Sequence, residues 1–187
     1  GDIVDEDHDS ISSVEDLLKG IKDLAPIYFV TGNHELTSLA ATQYQELLAL
    51  FQKYGVTDLD NDSVKLKKGG QSITLYGRQY FSQYLTDSLP IASDKDFDIL
   101  LYHGSDNFKE IAPYHYDLIL SGHAHGGIVR LPIWGGIFGN DGTFFPEYAG
   151  GEYTIGDATL ISSRGLGDAS IPRFNNPPEL VVIKLNP

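Results

Sequence analysis

The chain has 187 residues, 13 basic and 26 acidic, for a formal net charge of −13. That balance excludes nucleic-acid binding by bulk neutralisation of phosphates with Lys and Arg, and the absence of Cys excludes disulfides, thiolate metal sites and cysteine nucleophiles. Disorder is excluded by 41% hydrophobic residues with 9 Phe, 11 Tyr and 1 Trp, and no apolar run reaches the length of a membrane-spanning helix.

The chain contains no Met and opens on Gly1-Asp2-Ile3-Val4-Asp5, which reads as the end of a strand whose earlier part lies upstream. A preceding segment is therefore expected. Ser12-Ser13-Val14-Glu15 has capping-box spacing, and Val14, Leu17, Leu18 and Ile21 continue it at helical intervals, ending near Leu24 before Pro26. Ile27-Tyr28-Phe29-Val30 is a continuous run of strand formers, as in a strand buried on both faces. A second helix is expected from Thr37 to Tyr54, with Leu47, Leu48, Leu50 and Phe51 as its apolar stripe and Gly55 just beyond its end.

From Val56 the pattern turns to β. Val64–Leu66 and Ile73–Tyr76 flank Lys67-Lys68-Gly69-Gly70, a hairpin turn. Ile99–Tyr102, Leu118–Leu120, Thr159–Ser162 and Leu180–Leu185 are further strands, and Gly135 to Gly151 suits an ordered, irregular loop. Helices early and strands late in one domain over residues 1–187 give a layered α/β (α+β) fold.

Three apolar strands run directly into polar residues. Val30 leads to Thr31-Gly32-Asn33-His34-Glu35, Tyr102 to His103, and Leu120 to Ser121-Gly122-His123-Ala124-His125-Gly126-Gly127. Reactive groups in layered α/β folds gather beyond the carboxyl ends of strands, so these loops can share a cleft. Imidazole with carboxylate and amide oxygen, and no thiolate, suits hard or borderline divalent metals. By contrast His8 and His115 read as ordinary surface or core residues.

In their order, Gly1-Asp2, Gly32-Asn33-His34-Glu35, His103 and Gly122-His123-Ala124-His125 resemble the calcineurin-like metallophosphoesterase superfamily. Gly122 to Pro132, Ser163 to Gly167 and Arg173 to Glu179 extend the resemblance to a bacterial branch marked by Gly-His-x-His-Gly-Gly-x-x-Arg-Leu-Pro. The superfamily's opening Asp-x-His motif is absent, so the resemblance implies a four-layer αββα sandwich lacking its first strand. It also implies two divalent metals (Mn, Fe or Zn) that hold a small phosphoester and activate water for attack. Asp2 would bridge them, with Asn33, His103 and His123 completing the second site and His125 joining the first. His34 is implied as catalytic, as general acid or as a phosphate-orienting donor.

Asp5 and Glu35 are candidates for orienting ligand imidazoles, and Arg130, Arg164 and Arg173 for contacting phosphate. The loop from Trp134 to Tyr148 either lines a substrate cleft or caps the sheet. A metal-binding remnant with one site and little catalysis is the alternative, and a non-catalytic scaffold a third. The branch implies a membrane-associated or exported bacterial protein, anchored through the preceding segment, with a cytoplasmic location left open.

Overall fold

The computed structural model describes residues 1–4, 11–80, 89–93, 96–139, 142–167 and 172–186. Asp5 and His8 therefore lie outside the described residues.

Helix α1 spans Ile11–Ile21 and α3 spans Ala41–Tyr54. Ser12 falls inside α1 instead of capping it, and α1 stops before Leu24. Glu15 is turned toward α3, where its carboxylate accepts hydrogen bonds from Lys53 Nζ at 2.7 Å and Tyr54 Oη at 2.8 Å. The helix expected from Thr37 starts later, at Ala41, and a separate short helix precedes it. Asn33–Thr37 forms the short α2, and the chain breaks at Ser38–Ala40 before α3 begins. Gly55 closes α3 with φ 71°, the left-handed conformation that glycine adopts without a Cβ penalty.

Strand β1 (Ile27–Phe29) pairs in parallel with β2 (Val56–Asp58). The larger sheet runs β3 (Ser63–Lys68), β4 (Gln71–Arg78), β5 (Phe97–Gly104), β6 (Leu118–Gly122), β10 (Ala158–Ser162), β9 (Gly151–Ile155). Neighbours from β4 to β10 are parallel, while β3 and β9 close the edges antiparallel. The β3–β4 turn uses Gly69 and Gly70 at φ 59° and 84°, as its sequence requires. A separate hairpin, β7 (Val129–Leu131) with β8 (Gly135–Phe138), occupies part of what reads in sequence as irregular loop.

Three buried clusters define the layers. Val14 and Leu18 of α1 and Leu47 and Phe51 of α3 pack on Phe29, whose ring lies 4.6 Å from that of Phe51. Val30 and Leu59 then meet Leu75, Ile99 and Leu118, which glues the small sheet to the large one. On the far face Leu100, Tyr102, Ile119 and Leu160 meet Phe108 and Ile111 of helix α4 (Phe108–Ile111). The order is helix, sheet, sheet, helix. Alternate residues of β5 face opposite clusters, as the period of two demands for a strand covered on both sides.

At Gly77 of β4 a Cβ would sit 2.2 Å from the carbonyl oxygen of Leu59, the residue after β2. That neighbour is backbone and cannot swing away. Gly77→Ala is expected to cost about 3 kcal/mol, read as a lower urea midpoint at unchanged slope.

Residues 180–185 do not form a strand. The segment pairs with no strand among the described residues, and Leu180 and Val182 are 77% and 86% exposed. β-Propensity supplies suitable side chains, but a strand also needs a neighbour for its backbone hydrogen bonds.

Candidate metal centre

Because β5 and β6 are parallel neighbours, their carboxyl ends open on the same side of the sheet. β5 delivers His103 there, and the turn after β6 delivers His123 and His125. The segment after β1 carries Gly32 into α2, and the opening of the chain lies against it. A Cβ at Gly32 would stand 2.2 Å from Asp2 Oδ1, so only glycine admits this contact.

Asp2, His103 and His123 each offer a ligand atom within 4.8 Å of the others. Asp2 Oδ2 and His103 Nε2 are 2.7 Å apart, while Asp2 Oδ1 accepts the backbone N–H of His34 at 2.9 Å. Burial alone pushes the Asp2 carboxyl up, but the bond from His103, its charge and the His34 N–H together hold it below its usual range. Burial moves His103 the other way, below the usual imidazole value, against the pull of Asp2. An ionised carboxylate beside a neutral imidazole is the state in which both can ligate a cation. Asn33 Oδ1 is buried with no hydrogen-bond partner among the described residues, an orphan acceptor that suits the same use. The donors therefore fit a hard or borderline divalent ion.

Three of these backbones are strained. Asp2, His123 and His125 adopt φ of 54°, 67° and 49°, the left-handed region that costs a non-glycine residue about 1–2 kcal/mol. Such strain persists only where surrounding structure imposes it, and it concentrates at working sites.

Glu35 is 2% exposed, and among the described residues its carboxylate binds backbone N–H groups instead of a ligand imidazole. Oε2 accepts the N–H groups of Asp2 at 2.8 Å and Gly32 at 2.7 Å, and Oε1 those of Ile3 at 2.6 Å and Val4 at 3.4 Å. One carboxylate thus ties the Asp2 loop to the start of α2. The ring of His34 faces the same cluster, with Nε2 4.0 Å from Asp2 Oδ2 and Nδ1 3.1 Å from Ser38 Oγ.

Tyr80, which no sequence motif singles out, packs its ring 5.7 Å from that of His103 and 5.2 Å from that of His123. Its backbone N–H bonds to Thr31 O at 3.0 Å and so links the end of β4 to the loop after β1. His115 ends a short 3₁₀ turn and takes no part in the cluster.

His125 stands outside the trio. Its Nδ1 is 3.3 Å from Arg173 Nη2, and burial together with that guanidinium keeps its imidazole below the usual value. The Arg173 segment is a strap across this loop. Phe174 bridges to Val129, and Asn176 Nδ2 donates to the carbonyls of His125 at 2.6 Å and Gly127 at 3.2 Å. The other two arginines are committed elsewhere, Arg164 to Glu179 at 2.9 Å and Arg130 to the Gly126 carbonyl.

The family model for calcineurin-like phosphoesterases matches residues 1–127. Among curated proteins, YpbG of Bacillus subtilis is 26% identical over 99% of this chain and 68% of its own length. The phosphodiesterase YaeI of Escherichia coli is 24% identical over 94% of this chain and 64% of its own. The UDP-2,3-diacylglucosamine pyrophosphatase LpxG of Chlamydia trachomatis is 33% identical over 46% of this chain and 28% of its own. The chain thus spans from under a third to about two thirds of the length of these relatives. No solved structure matches the chain significantly.

Proposed function

The chain belongs to the calcineurin-like phosphoesterase family, and from that premise we propose that it is a metal-dependent hydrolase of small phosphoesters. The observation that carries this reading is the convergence of Asp2, His103 and His123, residues far apart in sequence, on one point beyond the strand ends. We assign Asp2, Asn33, His103 and His123 to one divalent ion and His125, with Asp2, to a second. Mn, Fe or Zn would suit these donors, and a bound ion would supply Lewis acidity and a water of lowered pKa.

The remaining work falls to the chain itself. Glu35 holds the Asp2 backbone in its left-handed turn, so the carboxylate points into the cluster without reorganisation. Tyr80 walls the two imidazoles on one side and limits their rotation. His34 is positioned to give a proton at Nε2 to the departing oxygen, its ring fixed by Ser38 at Nδ1. In-line displacement forms a P–O bond to the water oxygen and breaks the ester P–O bond; the leaving alkoxide takes the His34 proton, and the proton the water gives up passes to solvent, from which His34 is reprotonated. The names of YaeI and LpxG give a phosphodiester and a pyrophosphate as substrates, and we extend the shared chemistry, hydrolysis of a P–O bond, to a phosphoester for this chain.

A one-metal centre with little turnover is the second reading, favoured by the separation of His125 from the trio. Metal content after Mn²⁺ addition, measured with hydrolysis of a chromogenic phosphodiester, separates the two. About two ions per chain and metal-dependent turnover are expected for the dinuclear hydrolase. One ion and no turnover would leave only the second reading standing. His34→Ala is expected to lower kcat about 10³-fold for an alkyl leaving group, and far less for nitrophenolate, which departs without a proton. Equal losses for both would assign His34 to phosphate orientation instead.

A further inference from the structure

We infer that the β7–β8 hairpin and the two segments flanking it form a docking surface for a zwitterionic lipid layer. The inference goes beyond the hydrolase reading, since it concerns where the chain works and not what it cleaves. The surface is a small sheet of its own. Phe174 of the strap bridges in parallel to Val129 of β7, β7 pairs antiparallel with β8, and Phe138 of β8 bridges antiparallel to Phe144. Large apolar side chains stand out from it: Ile133 is 100% exposed, and Trp134, Phe144, Phe145 and Phe174 are 62–76% exposed. Trp134 and Phe145 line an open cleft of about 390 Å³, whose aromatic walls suit a hydrocarbon chain. The same sheet stands against the turn that carries His123 and His125, where a Cβ at Gly127 would meet the Gly136 Cα at 2.8 Å.

Two of these residues are held outward at a conformational cost. Ile133 has φ 75° and Phe145 φ 55°. Left-handed backbone is uncommon for any residue with a Cβ and an outlier for a β-branched one. In water neither side chain returns that cost, because both stand in solvent. Burial in hydrocarbon would return it.

Charge and hydrogen-bonding capacity identify the occupant. From Leu131 to Pro146 the sequence has a single charged residue, Asp141, in a chain that is 21% charged. From Leu131 to Gly139 the only side chain able to hydrogen-bond is the indole of Trp134. Protein interfaces carry about one hydrogen bond per 100–200 Å², which these side chains are not equipped to supply. A second copy would also bring its own net charge of −13 against the first. A lipid layer imposes neither demand, and an indole, one N–H on an apolar ring, is the group that settles at its interface. Arg130 lies half-buried at the root of the hairpin, behind the tip. Its guanidinium gives one nitrogen to the Gly126 carbonyl and has further donors for a lipid phosphate at headgroup depth. The net charge of −13 turns the chain away from anionic leaflets, which leaves a zwitterionic one.

Trp134 is the chain's one tryptophan, so its fluorescence reports on this surface alone. The test is titration of the protein with phosphatidylcholine vesicles, read by Trp134 emission and by co-sedimentation. The emission is expected to shift to the blue as vesicles bind, and the protein to pellet with them. Ile133→Gly removes an exposed side chain at a φ that glycine accepts, and Phe145→Asn installs a residue that tolerates its own. Both are expected to leave the urea midpoint near the parental value. The double variant is expected to bind the vesicles at least about 10-fold more weakly, with Ile133→Gly alone accounting for part of the loss. Absence of both the blue shift and pelleting overturns the proposal. Equal vesicle binding by parent and double variant overturns it too, as does binding confined to phosphatidylglycerol vesicles and abolished by salt, which is charge attraction only. A blue shift without lipid that tracks protein concentration and a doubled mass overturns it in favour of a second copy. Vesicle binding requires no turnover, so hydrolysis of a soluble phosphodiester, expected to be equal in parent and variant, tests the hydrolase reading separately.

Discussion

Glu35→Gln is expected to destabilise the protein by about 3 kcal/mol and to weaken metal binding by about 10–100-fold, although Glu35 ligates nothing. The carboxylate accepts four backbone N–H groups, two on each oxygen. Glutamine keeps the shape but retains one acceptor atom, and its amide turns two N–H donors toward two others. Two buried N–H groups lose their partner, each at a cost of about 1–2 kcal/mol. The loop so released carries Asp2, whose φ of 54° has no local reason to persist. Urea midpoints and Mn²⁺ titration of the variant check both parts. A destabilised variant with parental metal affinity would show that Asp2 is placed by some other contact.

His123→Gly is expected to split stability from ligation. The left-handed backbone at φ 67° costs histidine about 1–2 kcal/mol and glycine almost nothing, while glycine's freer unfolded chain returns about 0.4–1 kcal/mol of that gain. The lost ring contact with Tyr80 takes back part of the rest. Metal-free stability should therefore stay within about 1 kcal/mol of the parent. Metal affinity should fall beyond the roughly 100-fold upper end found for outer partners, because a ligand itself is gone, and turnover should vanish with it. Thermal denaturation with and without Mn²⁺ reads both. A variant that still binds Mn²⁺ as the parent does would remove His123 from the ligand set.

What the sequence makes legible is local. The stripe of α3 with its Gly55 stop, the Gly69-Gly70 hairpin and the runs ending at His103 and Gly122 depend on residues within a few positions of one another. Their periodicity therefore carries the assignment. What it hides is non-local. Glu35 looks like an imidazole partner because carboxylates often are. Its actual acceptance of the Asp2, Ile3 and Val4 N–H groups is visible only once the opening of the chain lies on α2. Tyr80 follows β4 without any motif, and its meeting with His103 and His123 depends on which strands neighbour β4 and β5. Leu180 to Leu185 has the composition of a strand, and composition says nothing of a neighbour. The short strands β7 and β8 carry too few residues for an alternating pattern to emerge among the glycines.

The contact between Asp2 and His103 closes a loop across 101 positions of sequence. Loops of that span close late, because the chain entropy must be surrendered before the contact returns anything. Metal uptake is then a report on the last stage of folding, when both sheets and the opening of the chain have docked. An ion held there acts as a cross-link between distant parts of the chain. It adds stability in proportion to the logarithm of its free concentration, so protein purified with chelator should unfold earlier than protein kept with its ion.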